Sequence, residues 1–85
     1  MQYTVEYAKQ FQTADIQGLM GSANELHFLI ADARRNGNNN ITEIVDSYID
    51  MVARDEAAEG YPLDKVKYKQ ELSQVYSKLY NRPLL

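Results

Sequence analysis

The chain has 85 residues, no cysteine and a formal net charge of −3. Its length suffices for one domain with a single hydrophobic core and leaves little room for a deep substrate cleft. The absence of cysteine excludes a disulfide framework and a zinc site with thiolate ligands. Charge is unevenly distributed, because residues 1–61 carry ten acidic and four basic side chains, whereas residues 62–85 carry two acidic and five basic ones.

The first dozen residues fit two patterns. Tyr3, Tyr7 and Phe11 are spaced like one face of a helix, whereas Tyr3, Val5 and Tyr7 alternate like a strand. A lone strand would find no partner strand elsewhere in the chain. We therefore predict a short helix in this segment.

A second helix is predicted over residues 22–36. Ser22 and Glu25 have the spacing of a capping box, and apolar residues follow it at helical spacing. Two arginines precede Gly37, which favours a helix end at that glycine. An earlier start near residues 13–16 is the alternative, although it would place two glycines inside the helix.

A run of asparagine with one glycine, residues 36–40, predicts a turn. Asn40 and Glu43 then have capping-box spacing, so a third helix should span residues 41–58. Its apolar side chains share one face: Ile41, Ile44, Val45, Tyr48, Ile49, Met51 and Val52. We expect the helix to pack on its neighbours through that face.

A fourth helix is predicted over residues 63–81, because Pro83 cannot continue it. Short connections make neighbouring helices antiparallel. The acidic residues 55–59 at the end of the third helix should then lie beside the lysines of residues 65–69 at the start of the fourth.

These elements predict an all-α fold. We expect a single helical domain over residues 1–85, built as a small bundle of three main antiparallel helices with a short helical N-terminal segment.

The asparagine-rich turn has a weak likeness to a calcium-binding loop. Asp32, Gly37 and Glu43 fit positions of an EF-hand loop, but Arg34 stands where an oxygen ligand is needed. The second helix also continues past Asp32. We therefore predict no metal site and no cofactor.

The one histidine, His27, lacks a catalytic or metal-binding partner one turn away. The side chains at those positions are Ala23, Asn24, Ile30 and Ala31. The serines have no neighbouring base in the sequence, and no glycine-rich loop follows a strand. We predict that the protein is not an enzyme.

Six side chains are candidates for binding a partner: Phe28, Arg35, Tyr76, Tyr80, Leu84 and Leu85. Phe28 projects away from the apolar face of its helix, and the last residues lie beyond the apolar stripe of the fourth helix. The alternative is internal packing, in which Phe11 or Tyr7 covers Phe28 and the C-terminal tail folds back on the bundle.

We expect a non-enzymatic protein–protein interaction module, such as a small inhibitor, adaptor or immunity-type protein that masks or bridges a partner of basic charge. In size and composition the chain is similar to small phage and plasmid accessory proteins. One alternative is a self-associating structural protein, a homodimer of helical hairpins or a larger assembly. The other is a nucleic-acid binder that uses the basic fourth helix, although its lysines fall on two flanks of the apolar stripe.

The longest unbroken apolar run is the four residues 28–31, so no membrane span is predicted. The first residues lack a basic leader followed by an apolar stretch, and we expect no secretory signal. A cytoplasmic location, in a cell or in an infected host, follows as the expectation.

Overall fold

Four helices make up the computed structural model, which describes residues 4–85. They are α1 (Val5–Lys9), α2 (Ile16–Arg35), α3 (Ile41–Ala58) and α4 (Lys65–Tyr80). No strand occurs in the described range, so the predicted all-α class is confirmed. The short N-terminal helix is present as α1, while Tyr3 lies outside the described residues.

The predicted start of α2 at Ser22 is wrong, because the helix begins at Ile16. Asp15 caps it by accepting a hydrogen bond of 2.7 Å from the backbone N–H of Gly18. A Cβ at Gly18 would lie 3.1 Å from the Asp15 carboxylate, so the glycine leaves room for the cap. Ser22 does not cap a helix; its Oγ accepts a hydrogen bond of 3.0 Å from the hydroxyl of Tyr68 on α4.

The ends of α2 and α3 share one backbone motif. After α2, Gly37 adopts a φ of +81°, and the N–H of Asn38 donates to the carbonyl of Ala33 at 2.8 Å. After α3, Gly60 adopts a φ of +88°, and the N–H of the next residue donates to the carbonyl of Glu56 at 2.9 Å. Both are Schellman ends, which need a left-handed residue and so favour glycine.

The predicted cap at Asn40 is confirmed, but the reciprocal bond of a capping box is not formed, because the backbone N–H of Asn40 donates to Asn38 Oδ1 at 3.0 Å. Asn40 Oδ1 accepts from the N–H of Glu43 at 3.3 Å, and Asn40 Nδ2 donates to the Glu43 carboxylate at 3.0 Å. The fourth helix begins at Lys65, two residues later than predicted, because Asp64 is the residue that caps it. It ends at Tyr80, before Asn81, which adopts a left-handed conformation.

Successive main helices run in opposite directions, so α2 and α4 are parallel. The Tyr48 hydroxyl of α3 reaches Glu25 of α2, and α2 packs more extensively on α4 than on α3. Buried apolar side chains of these three helices form one core, which Phe11 and Leu84 complete from the two ends of the chain. The fully buried members with the largest volumes are Leu19, Leu26, Leu72, Val45 and Val75.

Ion pairs join α3 and α4, but not those expected from the sequence. Lys65 Nζ lies 3.1 Å from the carboxylate of Asp50, and Lys69 Nζ lies 2.8 Å from that of Asp46. The expected acidic partners were residues 55–59. Leu63, in the connection after α3, lies near Val52 and Glu56 of that helix, so the chain runs back along α3 before α4 starts. The lysines therefore meet acids in the middle of α3.

The N-terminal segment runs antiparallel to α4. The Lys78 ammonium lies 4.2 Å from the ring centroid of Tyr7. Further along, Gln74 Nε2 donates to Gln10 Oε1 at 3.1 Å. At Thr13 the chain reverses and continues into α2, so residues 7–13 cover a face of α4 that α2 and α3 leave open.

Glu71 holds the point at which the chain reverses. Its side chain is a buried carboxylate, 7% exposed, and it accepts hydrogen bonds from the backbone N–H of Gln12 at 3.0 Å and of Thr13 at 2.9 Å. The Thr13 hydroxyl donates to the same carboxylate. Burial by itself would raise the pKa of Glu71, but these hydrogen bonds and the charge of Lys67 outweigh it, so the pKa lies below its ordinary value of 4.5.

We predict that Glu71→Gln lowers the free energy of unfolding by about 2 kcal/mol at neutral pH, because an amide cannot accept from all these donors. A carboxyl whose pKa is depressed in the folded state stabilises the fold above its ordinary pKa, and that stabilisation is lost as the pH falls through the folded value. The difference between wild type and variant should therefore shrink as the pH falls below 4.5. Urea unfolding at several pH values measures it.

The matched control is Glu59→Gln, which removes an exposed carboxylate at the end of α3. We expect it to change stability by less than about 0.5 kcal/mol. Equal losses for Glu71→Gln and Glu59→Gln, or a Glu71 effect that does not vary with pH, would contradict the role assigned to the buried carboxylate.

A double-mutant cycle with Lys69→Gln and Asp46→Asn should show a coupling energy of about 0.5 kcal/mol, because the pair is partly exposed. The coupling should decrease at about 0.5 M salt, where exposed charges are screened. A parallel cycle with Asp55→Asn, the partner expected from the sequence, should show none. Thermal or urea unfolding of the variants gives both couplings, and a larger value for Asp55 would refute the register described above.

Candidate binding surface

A groove between α2 and α3 is the first candidate surface. We call it the α2–α3 groove; it measures about 450 Å³ and is lined by Glu25, Leu29, Asn38, Glu43, Ile44, Ser47, Tyr48 and Met51. Its floor is apolar, with Leu29 41% and Met51 38% exposed. The floor exists because the two helices bury Leu26, Ile30 and Val45 beneath it and leave the next apolar positions partly open.

Two carboxylates flank this floor. The Tyr48 hydroxyl donates to the Glu25 carboxylate at 3.2 Å, and Glu43 is held by its capping bond from Asn40. Desolvation by burial, with a smaller contribution from the charge of Glu25, raises the pKa of Tyr48 to about 12, so this hydroxyl stays protonated and donates. Within residues 4–85, neither Glu25 nor Glu43 forms an ion pair.

An aromatic cluster lies on the other side of α2, against α4. The rings of His27 and Tyr80 stack with centroids 4.1 Å apart and planes at 10°, and the edge contact from His27 to Phe28 spans 5.8 Å. The Tyr80 hydroxyl donates to Asn24 Oδ1 at 3.0 Å. His27 Nδ1 lies 3.4 Å from the Tyr76 hydroxyl. The surroundings of the imidazole are thus aromatic rings and a hydroxyl.

The predicted binding residues occupy different environments. Phe28 is 62% exposed, and Leu85 and Arg35 are also exposed, with Arg35 paired to Asp32 on the same helix. Tyr80 is half-buried in the aromatic cluster. Tyr76 and Leu84 are buried in the core, so they contribute no open surface in this structure. Binding by these six residues stays a prediction.

The alternative, in which these side chains pack internally, describes part of the structure. The tail folds back through Leu84, which is buried, but Leu85 is not. Phe11 is buried in the core and contacts Tyr7 edge to face at 5.1 Å. Phe28 is nevertheless open to solvent, and its aromatic neighbour is His27.

Sequence reasoning missed the α2–α3 groove. Leu29 and Met51 lie at helical spacing from other apolar residues of α2 and α3, a pattern that predicts core positions for both. They stand at the edge of those stripes, where exposure depends on how closely the neighbouring helix approaches. The available signal was the position of Glu25 one turn before Leu29, which places a charge beside an apolar edge.

Each lysine of α4 contacts a side chain of its own chain. Lys65 and Lys69 pair with α3, Lys67 donates to Gln12, and Lys78 covers the Tyr7 ring. These contacts spread over two flanks of α4. The helix does not present a contiguous row of unoccupied ammonium groups.

The described residues contain no group of three or more histidine or acidic side chains arranged to hold a metal ion. None of the helices in the described range has the length and apolar character needed to cross a membrane. Comparison of the chain with protein-family models, curated proteins and solved structures finds no match.

We predict that the ring of Tyr80 stabilises the fold more than its hydroxyl does. Tyr80→Phe should lower the free energy of unfolding by about 0.5 kcal/mol, since it loses one exposed hydrogen bond, and Tyr80→Ala by about 2 kcal/mol. Urea unfolding measures both, and the His27 ring proton shifts should move strongly in the alanine variant alone. Equal losses in the two variants would show that the bond to Asn24 dominates.

Proposed function

We propose that this chain is a non-enzymatic protein-binding domain that acts by masking or bridging a partner protein. The observation that carries the proposal is a pair of consecutive exposed apolar side chains on α2, Phe28 and Leu29. Consecutive helical residues point about 100° apart. Phe28 therefore lies beside the aromatic cluster, and Leu29 lies in the α2–α3 groove.

The pair suits an interface for energetic reasons. Burying a phenylalanine or leucine side chain that is otherwise exposed stabilises a complex by about 1.5–3 kcal/mol. The α2 helix is anchored by four buried side chains, and the Phe28 ring contacts His27, so little order has to be gained on binding. Rigid aromatic anchors of this kind are enriched at interfaces.

The surface charges support a protein partner over nucleic acid. All four lysines of α4 already contact groups of the same chain, which weakens the case for phosphate binding through that helix. The same pairs weaken the case for self-association through acidic and basic regions, because Lys65 and Lys69 meet their acids within one chain. A cytoplasmic location is part of the proposal, since a cysteine-free domain suits a reducing compartment.

The experiment compares Phe28→Ser/Leu29→Ser with Val66→Ser, a control that removes an equally apolar side chain, 70% exposed, from α4. A partner is captured from an extract of the source cells with the wild-type chain, and its affinity for each variant is then measured. We expect about 100-fold weaker binding for the double variant and no change for the control.

Circular dichroism should show the same helicity in all three proteins, because these side chains are exposed. If the partner binds both variants equally well, its interface does not include the Phe28 and Leu29 side chains of α2. The absence of any partner that binds the wild type specifically would refute the proposed function.

A further inference from the structure

We infer that the α2–α3 groove takes a basic amphipathic helix of the partner, one whose apolar side chains are flanked by lysine or arginine. This inference rests on the proposed function and names the chemistry of the segment that would bind. It is carried by two features of the groove: an apolar floor formed by Leu29, Ile44 and Met51, and the carboxylates of Glu25 and Glu43 beside it.

The two carboxylates face the groove from different helices. Glu25 belongs to α2 and accepts from the Tyr48 hydroxyl of α3, whereas Glu43 lies in the first turn of α3. Because both side chains line the same groove, a helix lying along it passes both carboxylates. Lysine and arginine have long side chains that can lie along the apolar floor with their methylene groups and direct their charge toward these carboxylates.

Desolvation selects the charge of the occupant. A helix seated on the floor would remove water from Glu25 and Glu43. Burying a carboxylate without a cationic partner costs on the order of several kcal/mol. Neither group has a cationic partner within residues 4–85, and their present donors are an uncharged hydroxyl and an uncharged amide. An acidic or purely apolar segment would leave this cost uncompensated, whereas a basic one offsets it.

Two other acids of α3 are already paired, which distinguishes their side of the helix from the groove. Asp46 and Asp50 lie on the α4 side of the same helix, and each already faces a lysine ammonium within 3.1 Å. The carboxylates of Glu25 and Glu43 on the α2–α3 side have no such lysine partner within residues 4–85, so an incoming cation can pair with them. Both groove carboxylates are also held by hydrogen bonds from their own chain, which reduces the ordering needed when a partner binds.

The test uses two model peptides of equal length in an amphipathic helical pattern, one of leucine and lysine and one of leucine and glutamate. Isothermal titration gives the affinity of the wild-type chain for each, and amide shift changes in labelled protein locate the site. We expect the leucine–lysine peptide to bind at least about tenfold more tightly and to shift groove residues. Equal affinities, or shifts located elsewhere, would overturn the inference.

Matched variants separate the groove from the net charge of the protein. Glu25→Gln/Glu43→Gln replaces each carboxylate with an amide whose oxygen can still accept from Tyr48 or Asn40. The control, Asp55→Asn/Glu59→Gln, removes the same charge from exposed positions outside the groove. We expect the groove variant to bind the leucine–lysine peptide at least about tenfold more weakly and the control to change by less than about twofold. Equal effects of the two variants would overturn the inference.

Two further outcomes are distinguishable. In the first, a natural partner no longer binds Phe28→Ser/Leu29→Ser but binds Glu25→Gln/Glu43→Gln normally. That result would support the proposed function and overturn the inference that the groove binds a basic helix. A homodimer in light scattering that dissociates in Leu29→Ser would assign the groove to a second copy of the chain, which also overturns the inference.

Discussion

The hydrogen bonds between the Glu71 carboxylate and the backbone at Gln12 and Thr13 fix the arrangement on which the rest of the fold depends. They join segments almost 60 residues apart in sequence and hold the point where the N-terminal segment turns into α2. Because the donors are backbone N–H groups that precede a helix, no secondary structure would otherwise satisfy them. The same contact positions Phe11 in the core and so closes the bundle at that end.

The helices pack on one another to different extents. The N-terminal segment covers one face of α4, and α2 returns parallel to α4 with Ser22 and His27 against it. The α3 helix is attached to α4 by ion pairs near its exposed face and to α2 through Tyr48. Because α2 packs more extensively on α4 than on α3, the α2–α3 side keeps an open groove while the α2–α4 side fills with aromatic rings.

The sequence was a good guide where one residue decides a local structure. The helix end at Gly37 and the cap at Asn40 follow from backbone conformation and side-chain reach alone. It failed where two local signals compete, because the capping-box spacing at Ser22 favoured that start over the alternative near residues 13–16, which the cap at Asp15 shows to be the true one. The sequence does not predict long-range contacts. Without knowledge of the chain reversal, Glu71 is expected to be a solvent-exposed acid, and the groove depends on how closely two helices approach each other.

The charged groups on the two sides of α3 differ in whether they are paired within residues 4–85. Lysines of α4 are engaged by α3 and by the N-terminal segment, which balances charge on that side of the molecule. On the opposite side of α3, Glu25 and Glu43 stand beside apolar surface without a cation among residues 4–85. In the proposed complex the apolar floor and Phe28 supply affinity through burial, and the carboxylates supply selectivity, since covering them with the wrong charge is costly. An all-helical domain of this size can in this way discriminate among partners by charge.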